Sequence, residues 1–186
     1  MGLLTSIELM ILDFIQLTMR NAFFDQFWSA ITRLGNVGAI WIAISIILLI
    51  SPKTRSLGIV CTLSLLSSVF LTNIVLKNLV GRMRPFYLVD LPLLIKAPSG
   101  YSFPSGHASS SFAIAFVFLR NKTCLGRVKL YRYVMLLAGM VAFSRLYLYV
   151  HYPSDVLSGV LIGYISSLLA MKLYSIMADR SRNQIN

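Results

Sequence analysis

Two consecutive stretches of this chain carry no charge at all: residues 34–52, between Arg33 and Lys53, and residues 56–76, between Arg55 and Lys77. Crossing a hydrocarbon core ~30 Å thick takes ~20 apolar residues in a helix, since each residue rises ~1.5 Å. Unsatisfied backbone groups are so costly in lipid that these stretches are expected to be helical. Three more segments fit the same description: 104–119, 133–150 with Arg145 near its end, and 156–177.

Composition agrees, with 57% hydrophobic and 12% charged residues, against ~25% charged in soluble domains. No linker, repeat or low-complexity tract divides residues 1–186, so one unit is expected. The formal charge of +11 does not indicate nucleic acid, because the basic residues sit between apolar runs rather than along a solvated face. Cys61 and Cys124 have neither metal-ligand spacing nor a matching partner, and no role is assigned to them.

Residues 6–20 are apolar on one side, at Ile7, Met10, Ile11, Phe14 and Leu17, and are interrupted by Glu8, Asp13 and Gln16. This pattern predicts a helix lying in the membrane interface, with a sixth span as the alternative. No Lys or Arg precedes Arg20, so a cleaved signal peptide is not expected. The fold class is therefore all-α: a polytopic transmembrane bundle of five spans plus an N-terminal interfacial helix.

Lys and Arg favour cytoplasmic loops. Lys53 and Arg55 join spans one and two; Arg120, Lys122, Arg127, Lys129 and Arg132 join spans three and four; Arg180 and Arg182 follow span five. Alternating spans put all of these on one face, assigned to the cytoplasm. The acidic residues other than Asp179 fall on the opposite face.

That opposite face also receives three polar clusters. In the first, Lys77 and Arg84 are seven residues apart, a spacing that returns a helix to nearly the same face. Pro85 biases Arg84 toward an extended conformation, so the helix is expected to end about there. Arg82, between them, reads as a snorkelling anchor.

In the second cluster, Pro104, Ser105, Gly106 and His107 open a span. Free backbone N–H groups and the positive dipole end of a helix suit an anionic phosphoryl group. Gly106 allows close approach, Ser105 adds a hydroxyl, and His107 exchanges protons near neutral pH. The plainer alternative is a Ser N-cap beside an interfacial histidine.

The third cluster comprises Ser144, Arg145, His151 and Asp155. An ionisable group such as Arg145 inside a span is by default a functional hypothesis. Asp155, four positions after His151, could fix the imidazole tautomer and leave the other nitrogen free to attack. It could equally complement the dipole of the following helix. The chain has two histidines, and both fall in these clusters. Phosphoryl transfer needs neutralisation of the equatorial oxygens, an aligned nucleophile and an acid for the leaving oxygen. The three clusters supply that set without saying which histidine attacks.

Lys77 with Arg84-Pro85, then Pro104 to His107, then Ser144-Arg145 with His151 and Asp155, resemble in order the three-part signature of the type 2 phosphatidic acid phosphatase superfamily. The resemblance covers residues 77–155. It implies a helical bundle in which His151 forms a phosphohistidine, Asp155 orients it, and His107 protonates the leaving oxygen and then activates water. It further implies that Lys77, Arg84, Ser105, Gly106 and Arg145 bind the phosphoryl oxygens.

The scattered carboxylates and two histidines make no metal constellation, so neither a metal nor another cofactor is expected. The expected partners are a lipid phosphate substrate and membrane lipids, not nucleic acid. By analogy with small family members, undecaprenyl diphosphate ranks first, then phosphatidylglycerol phosphate, then phosphatidic acid. The expected location is the cell membrane, with the active site on the extracytoplasmic face. A non-catalytic lipid-binding or transport protein is the alternative from another class; vanadate-dependent peroxidases resemble the same motifs but are usually soluble. Phe112, Phe116, Gly159 and Gly163 are expected to pack helices or touch acyl chains. Residues 86–103, with Asp90 and Lys96, read as a lid or an ordinary interfacial loop.

Overall fold

The computed structural model describes residues 2–89, 91–123 and 128–183. Asp90, Cys124 and Arg127 lie outside the described residues. Seven principal helices follow one another: α1 (Leu3–Met19), α2 (Ala22–Leu34), α3 (Ala39–Ile50), α4 (Arg55–Val69), α5 (Gly106–Arg120), α6 (Leu130–Tyr147) and α7 (Pro153–Asn183). The all-α expectation holds among the described residues.

Local chemistry explains most boundaries. Asn21 caps α2 by accepting from the Phe24 N–H at 3.0 Å, and Asp25 sits in the first turn where the dipole favours an acid. Residues 36–38 form a 3-10 turn containing Val37 at φ 55° and Gly38 at φ 71°. The axis bends there by 43°. The expected first span, 34–52, is thus a shorter α3 entered through a kink, and α2 was not foreseen. α4 continues through a π-helical stretch, Phe70–Leu76, into a final turn at Lys77–Val80. Gly81 at φ 61° closes it. This end comes before Arg84, the expected stop, because glycine adopts the left-handed conformation at little cost.

α5 is the axis of the bundle. Ala108, Ala113, Ile114, Ala115 and Val117 have no exposed surface, enclosed by α4, α6 and α7. Gly159 and Gly163 make the α5–α7 contact possible. A Cβ on Gly159 would lie 2.7 Å from the Ser105 carbonyl oxygen, and one on Gly163 would lie 2.7 Å from the Ala113 nitrogen. Hydroxyls tie the helices where hydrocarbon alone would leave them free to slide. The Trp41 indole donates to Ser111 Oγ at 2.9 Å, Ser64 to the Ala113 carbonyl at 3.0 Å, and Thr72 to Ser109 Oγ at 2.9 Å. Phe116 packs edge-on against Tyr164 of α7, with ring centroids 5.1 Å apart. Cys61 is buried as a free thiol.

The outer surface is apolar: Ile46, Ile47, Leu136, Leu157 and Leu161 are all exposed. Arg55–Tyr87 and Pro153–Arg180 are each long and apolar enough to cross a membrane, and α2 with the segment through α3 makes a third candidate if the bent pair is one span. α1 places Ile7, Met10, Ile11, Phe14 and Leu17 outward, as an interfacial helix would, and turns Glu8, Leu9, Leu12 and Ile15 inward.

The glycine contacts set a testable contrast. Gly159→Leu should lower thermal stability in detergent by about 1–3 kcal/mol through overpacking. Gly139→Ala meets nothing within 4 Å and should leave the midpoint unchanged or raise it, by up to ~1 kcal/mol, through helix propensity.

Candidate active site

Four helix ends converge at one end of the bundle: the C-termini of α4 and α6 and the N-termini of α5 and α7. They deliver all eight residues singled out from the sequence. Lys77 ends α4, Ser105, Gly106 and His107 open α5, Arg145 lies in the last turn of α6, and Asp155 lies in the first turn of α7. Arg84 and His151 stand on the connecting segments between them.

His151 is buried on the turn between α6 and α7. Its Nδ1 lies 3.4 Å from Asp155 Oδ2, and its Nε2 lies 3.2 Å from Arg84 Nη1. A guanidinium can only donate, so Nε2 is the acceptor and holds a lone pair, while Nδ1 carries the proton toward Asp155. Burial pushes the ring down to about 3, Arg145 and Arg84 add to this, and Asp155 works against it. The imidazole is therefore neutral at neutral pH, the form that can attack.

Asp155 has no exposed surface, and its carboxylate is fully engaged. Oδ2 accepts from the Tyr152 N–H at 2.9 Å and from the Ser102 hydroxyl, and Oδ1 accepts from Arg82 Nη1 at 2.8 Å. Asp155 thus opens α7 and contacts the imidazole at the same time.

Arg84 is extended at φ −79°, ψ 153°, as the following Pro85 requires. Its other donors go to carbonyls, of Gly100 at 2.9 Å, Val150 at 3.0 Å and Ser99 at 3.2 Å. The 86–103 segment supplies two of these and packs Phe86, Leu93, Leu94 and Ile95 against the turn that carries His151. Arg145 donates to Thr32 Oγ1 at 2.5 Å, and its buried Nε has no partner among the described residues. Lys77 brings its ammonium 3.7 Å from where a Gly106 Cβ would stand.

His107 faces this group from α5. Its Nε2 is 3.2 Å from Asn36 Oδ1, and its ring packs on Gly35, where a Cβ would come within 2.7 Å of Cδ2. His107 and His151 lie within Coulombic reach of each other. Ser105 is an N-cap, accepting from the Ala108 N–H at 3.4 Å, and its own N–H donates to the Asp155 carbonyl at 3.0 Å. A cavity of about 450 Å³ opens beside His107, Gly106 and Lys77. It continues between α3 and α4 along Ile42, Leu65, Leu66 and Val69.

Two expectations need correction. Lys77 and Arg84 do not share a helix face, because the helix stops at Val80 and Arg84 returns on an extended segment. Arg82 is not a snorkelling anchor: it bonds Asp155, Ser154 Oγ at 2.7 Å and Glu8 Oε2 at 2.5 Å, with its guanidinium 3.7 Å over the Tyr152 ring. Ser102, Thr32, Asn36 and Gly35 were not singled out. The closely spaced Gly35, Asn36 and Gly38 inside an apolar run were the available signal for a break. Among the described residues, no three His, Cys, Asp or Glu side chains are grouped to hold a metal.

A sequence profile of the PAP2 superfamily matches residues 57–177. The undecaprenyl-diphosphatase of Sulfolobus acidocaldarius is 33% identical over 141 residues, covering 73% of this chain and 64% of that protein, less than two thirds of its length. The lipid A 4'-phosphatase of Bacteroides thetaiotaomicron is 31% identical over 159 residues, covering 78% of this chain and 67% of that protein. The crystal structure of Aquifex aeolicus LpxE superposes with a TM-score of 0.72 at 30% identity, covering 87% of this chain and 94% of that one. That of a transmembrane PAP2 type phosphatidylglycerolphosphate phosphatase from Bacillus subtilis superposes with a TM-score of 0.74 at 27% identity, covering 93% and 87%.

The neutral, Nδ1-protonated state of His151 is directly measurable. In a chain labelled with imidazole nitrogen-15, its resonances should stay those of the neutral tautomer from pH 8 down past pH 5, protonating only as pH falls toward its lowered value. A midpoint at ~6.5, the ordinary histidine value, would contradict the arrangement.

Proposed function

The chain belongs to the PAP2 superfamily, and from that premise we propose that it hydrolyses a lipid phosphate or diphosphate through a phosphohistidine on His151, without a metal. The observation that carries this reading is the Nε2 lone pair of a neutral, buried His151, held 3.2 Å from Arg84. Two more cations, Arg145 and Lys77, lie within Coulombic reach of that arginine.

The incoming phosphoryl group meets Arg84, Arg145 and Lys77, which neutralise its oxygens, together with the N-terminus of α5 at Ser105 and Gly106. His151 Nε2 gives its lone pair to phosphorus, an N–P bond forms, and the P–O bond to the lipid breaks. The bound phosphoryl anion favours a protonated His107 beside it, and His107 gives that proton to the departing oxygen and becomes neutral. Water then attacks the phosphohistidine, His107 takes its proton, the N–P bond breaks, and phosphate leaves with Nε2 restored. Asp155 keeps the proton on Nδ1 during attack and stabilises the cation that forms.

The cavity supports a lipid rather than a soluble ester. Its walls at Ile42, Leu65, Leu66 and Val69 are apolar, and Asn73, Lys77, His107 and Gly106 stand at its other end. A volume of about 450 Å³ accommodates the first few units of a hydrocarbon chain. Undecaprenyl diphosphate is the favoured substrate, supported by the similarity to the Sulfolobus enzyme. Phosphatidylglycerol phosphate and phosphatidic acid follow, the former supported by the likeness to the Bacillus structure.

In this reading residues 1–186 work as one unit with five spans. α2 and α3 form a broken first span, α4 to α7 complete the set, and α1 lies in the interface across the nucleophile turn. Lys53, Arg55, Arg120, Lys122, Lys129, Arg132 and Arg180 face the cytoplasm, and catalysis occurs on the extracytoplasmic side.

Purified chain in detergent, given those three lipids with excess chelator, should release phosphate at an undiminished rate. His151→Ala should lower the rate by at least ~10³-fold. Release that survives the substitution would reject the nucleophile, and loss with chelator would reject metal independence. A reporter fused to the C-terminus should be found in the cytoplasm; one found outside would reverse the orientation.

A further inference from the structure

We propose that Glu8, on the N-terminal helix, is a positioning residue for this reaction, acting through Arg82 on the Asp155 carboxylate that holds His151. The proposal rests on the phosphatase reading given above.

Glu8 is buried, 3% exposed, on a helix whose other face is apolar and open. A carboxylate placed there without need would cost more than any neutral residue. Both of its oxygens are used: Oε2 accepts from Arg82 Nη2 at 2.5 Å, and Oε1 accepts from the Ser154 N–H at 2.8 Å, in the first turn of α7.

Arg82 is thereby held as a planar fork with one tine on Glu8 and the other on Asp155 Oδ1 at 2.8 Å. The Tyr152 ring beneath it removes the remaining freedom to swivel. With Oδ1 fixed, Oδ2 can only point at Tyr152 N–H, Ser102 and His151 Nδ1. The connected series Glu8, Arg82, Asp155, His151 thus runs from the membrane-facing helix to the attacking nitrogen.

Charge matters as well as direction. The groups that face His151 are Asp155 from α7, Arg84 from the segment after α4, Arg145 from α6 and His107 from α5. Glu8 offsets the Arg82 cation, so that Asp155 keeps enough negative charge to hold the Nδ1 proton. Removing the charge on Glu8 leaves Arg82 to draw on Asp155 alone. His151 then becomes a weaker base and a weaker nucleophile.

Two other α1 contacts make a built-in control. Asp13 accepts from the Tyr149 hydroxyl at 2.7 Å, and Gln16 donates to the Tyr147 carbonyl at 2.6 Å. Both clasp α1 onto the same turn, yet neither touches Arg82 or Asp155.

The test uses full-length chain in mixed lipid–detergent micelles. The probe is undecaprenyl diphosphate, phosphatidylglycerol phosphate or phosphatidic acid, whichever the native chain turns over fastest. Glu8→Gln should lower kcat on the order of 10–100-fold with KM changed by less than about twofold. The acid limb of its kcat/KM profile should move to lower pH. Arg82→Gln, which leaves Asp155 and Glu8 unscreened, should move that limb to higher pH. Asp13→Asn should lower the thermal midpoint while leaving the limb in place.

An inert His151→Ala beside a fully active Glu8→Gln, or a Glu8→Gln defect matched by Asp13→Asn with no shift of the acid limb, would overturn the role of Glu8. His151→Ala as active as the native chain would instead overturn the phosphatase reading on which it rests.

Discussion

A buried carboxylate is tolerated only where its charge is met on every side, and Asp155 organises the end of this molecule where the helix termini converge for that reason. Its two oxygens draw in Arg82 and Ser102 from the segment between α4 and α5, and Tyr152 and His151 from the turn before α7. Its carbonyl also receives the Ser105 N–H that begins α5. Segments far apart in sequence are thus fixed to one side chain. The imidazole inherits its tautomer from that arrangement rather than from anything in its own turn.

Apart from Glu8, which is bonded to Arg82, the charge around this anion is positive. Arg84, Arg145 and Lys77 lie within Coulombic reach of one another. Backbone carbonyls and a threonine hydroxyl, rather than carboxylates, hold the two arginines. Neutral acceptors fix a guanidinium without cancelling its charge. The surplus cation is unfavourable in a low-dielectric site until an anion arrives, a trade of stability for binding of the kind expected at a functional site. The Arg145 Nε, buried without a partner among the described residues, is the same trade at one atom.

Hydrophobic runs and flanking cations are local signals, so the all-α membrane character was legible, although among the described residues only two helices, or three with the bent pair, are long and apolar enough to cross a membrane. The eight candidate residues stood out because their spacing matched a known order. What it hid was long-range. Glu8 looked like an interruption of an apolar face, yet it is the residue through which α1 reaches Arg82 and the start of α7. Arg82 looked like an anchor because snorkelling is what a cation at a helix end does when nothing specific awaits it. Its partners lie more than seventy residues away on either side. Ser102 carries no signal, since a serine two residues before a proline is common in loops. The kink at residues 36–38 overrode a run of hydrophobicity that periodicity alone could not break.

The bare faces of Gly159 and Gly163 have a consequence for traffic within the bilayer. Where α7 meets α5, backbone atoms are so near that not even a methyl group fits between them. That flank is sealed against any hydrocarbon tail diffusing in the leaflet. On the α3–α4 flank, Ile42, Leu66 and Val69 line the cavity and are also exposed on the outer surface. The two flanks therefore differ: an apolar chain in the surrounding lipid would find an opening beside His107 between α3 and α4, and none between α5 and α7.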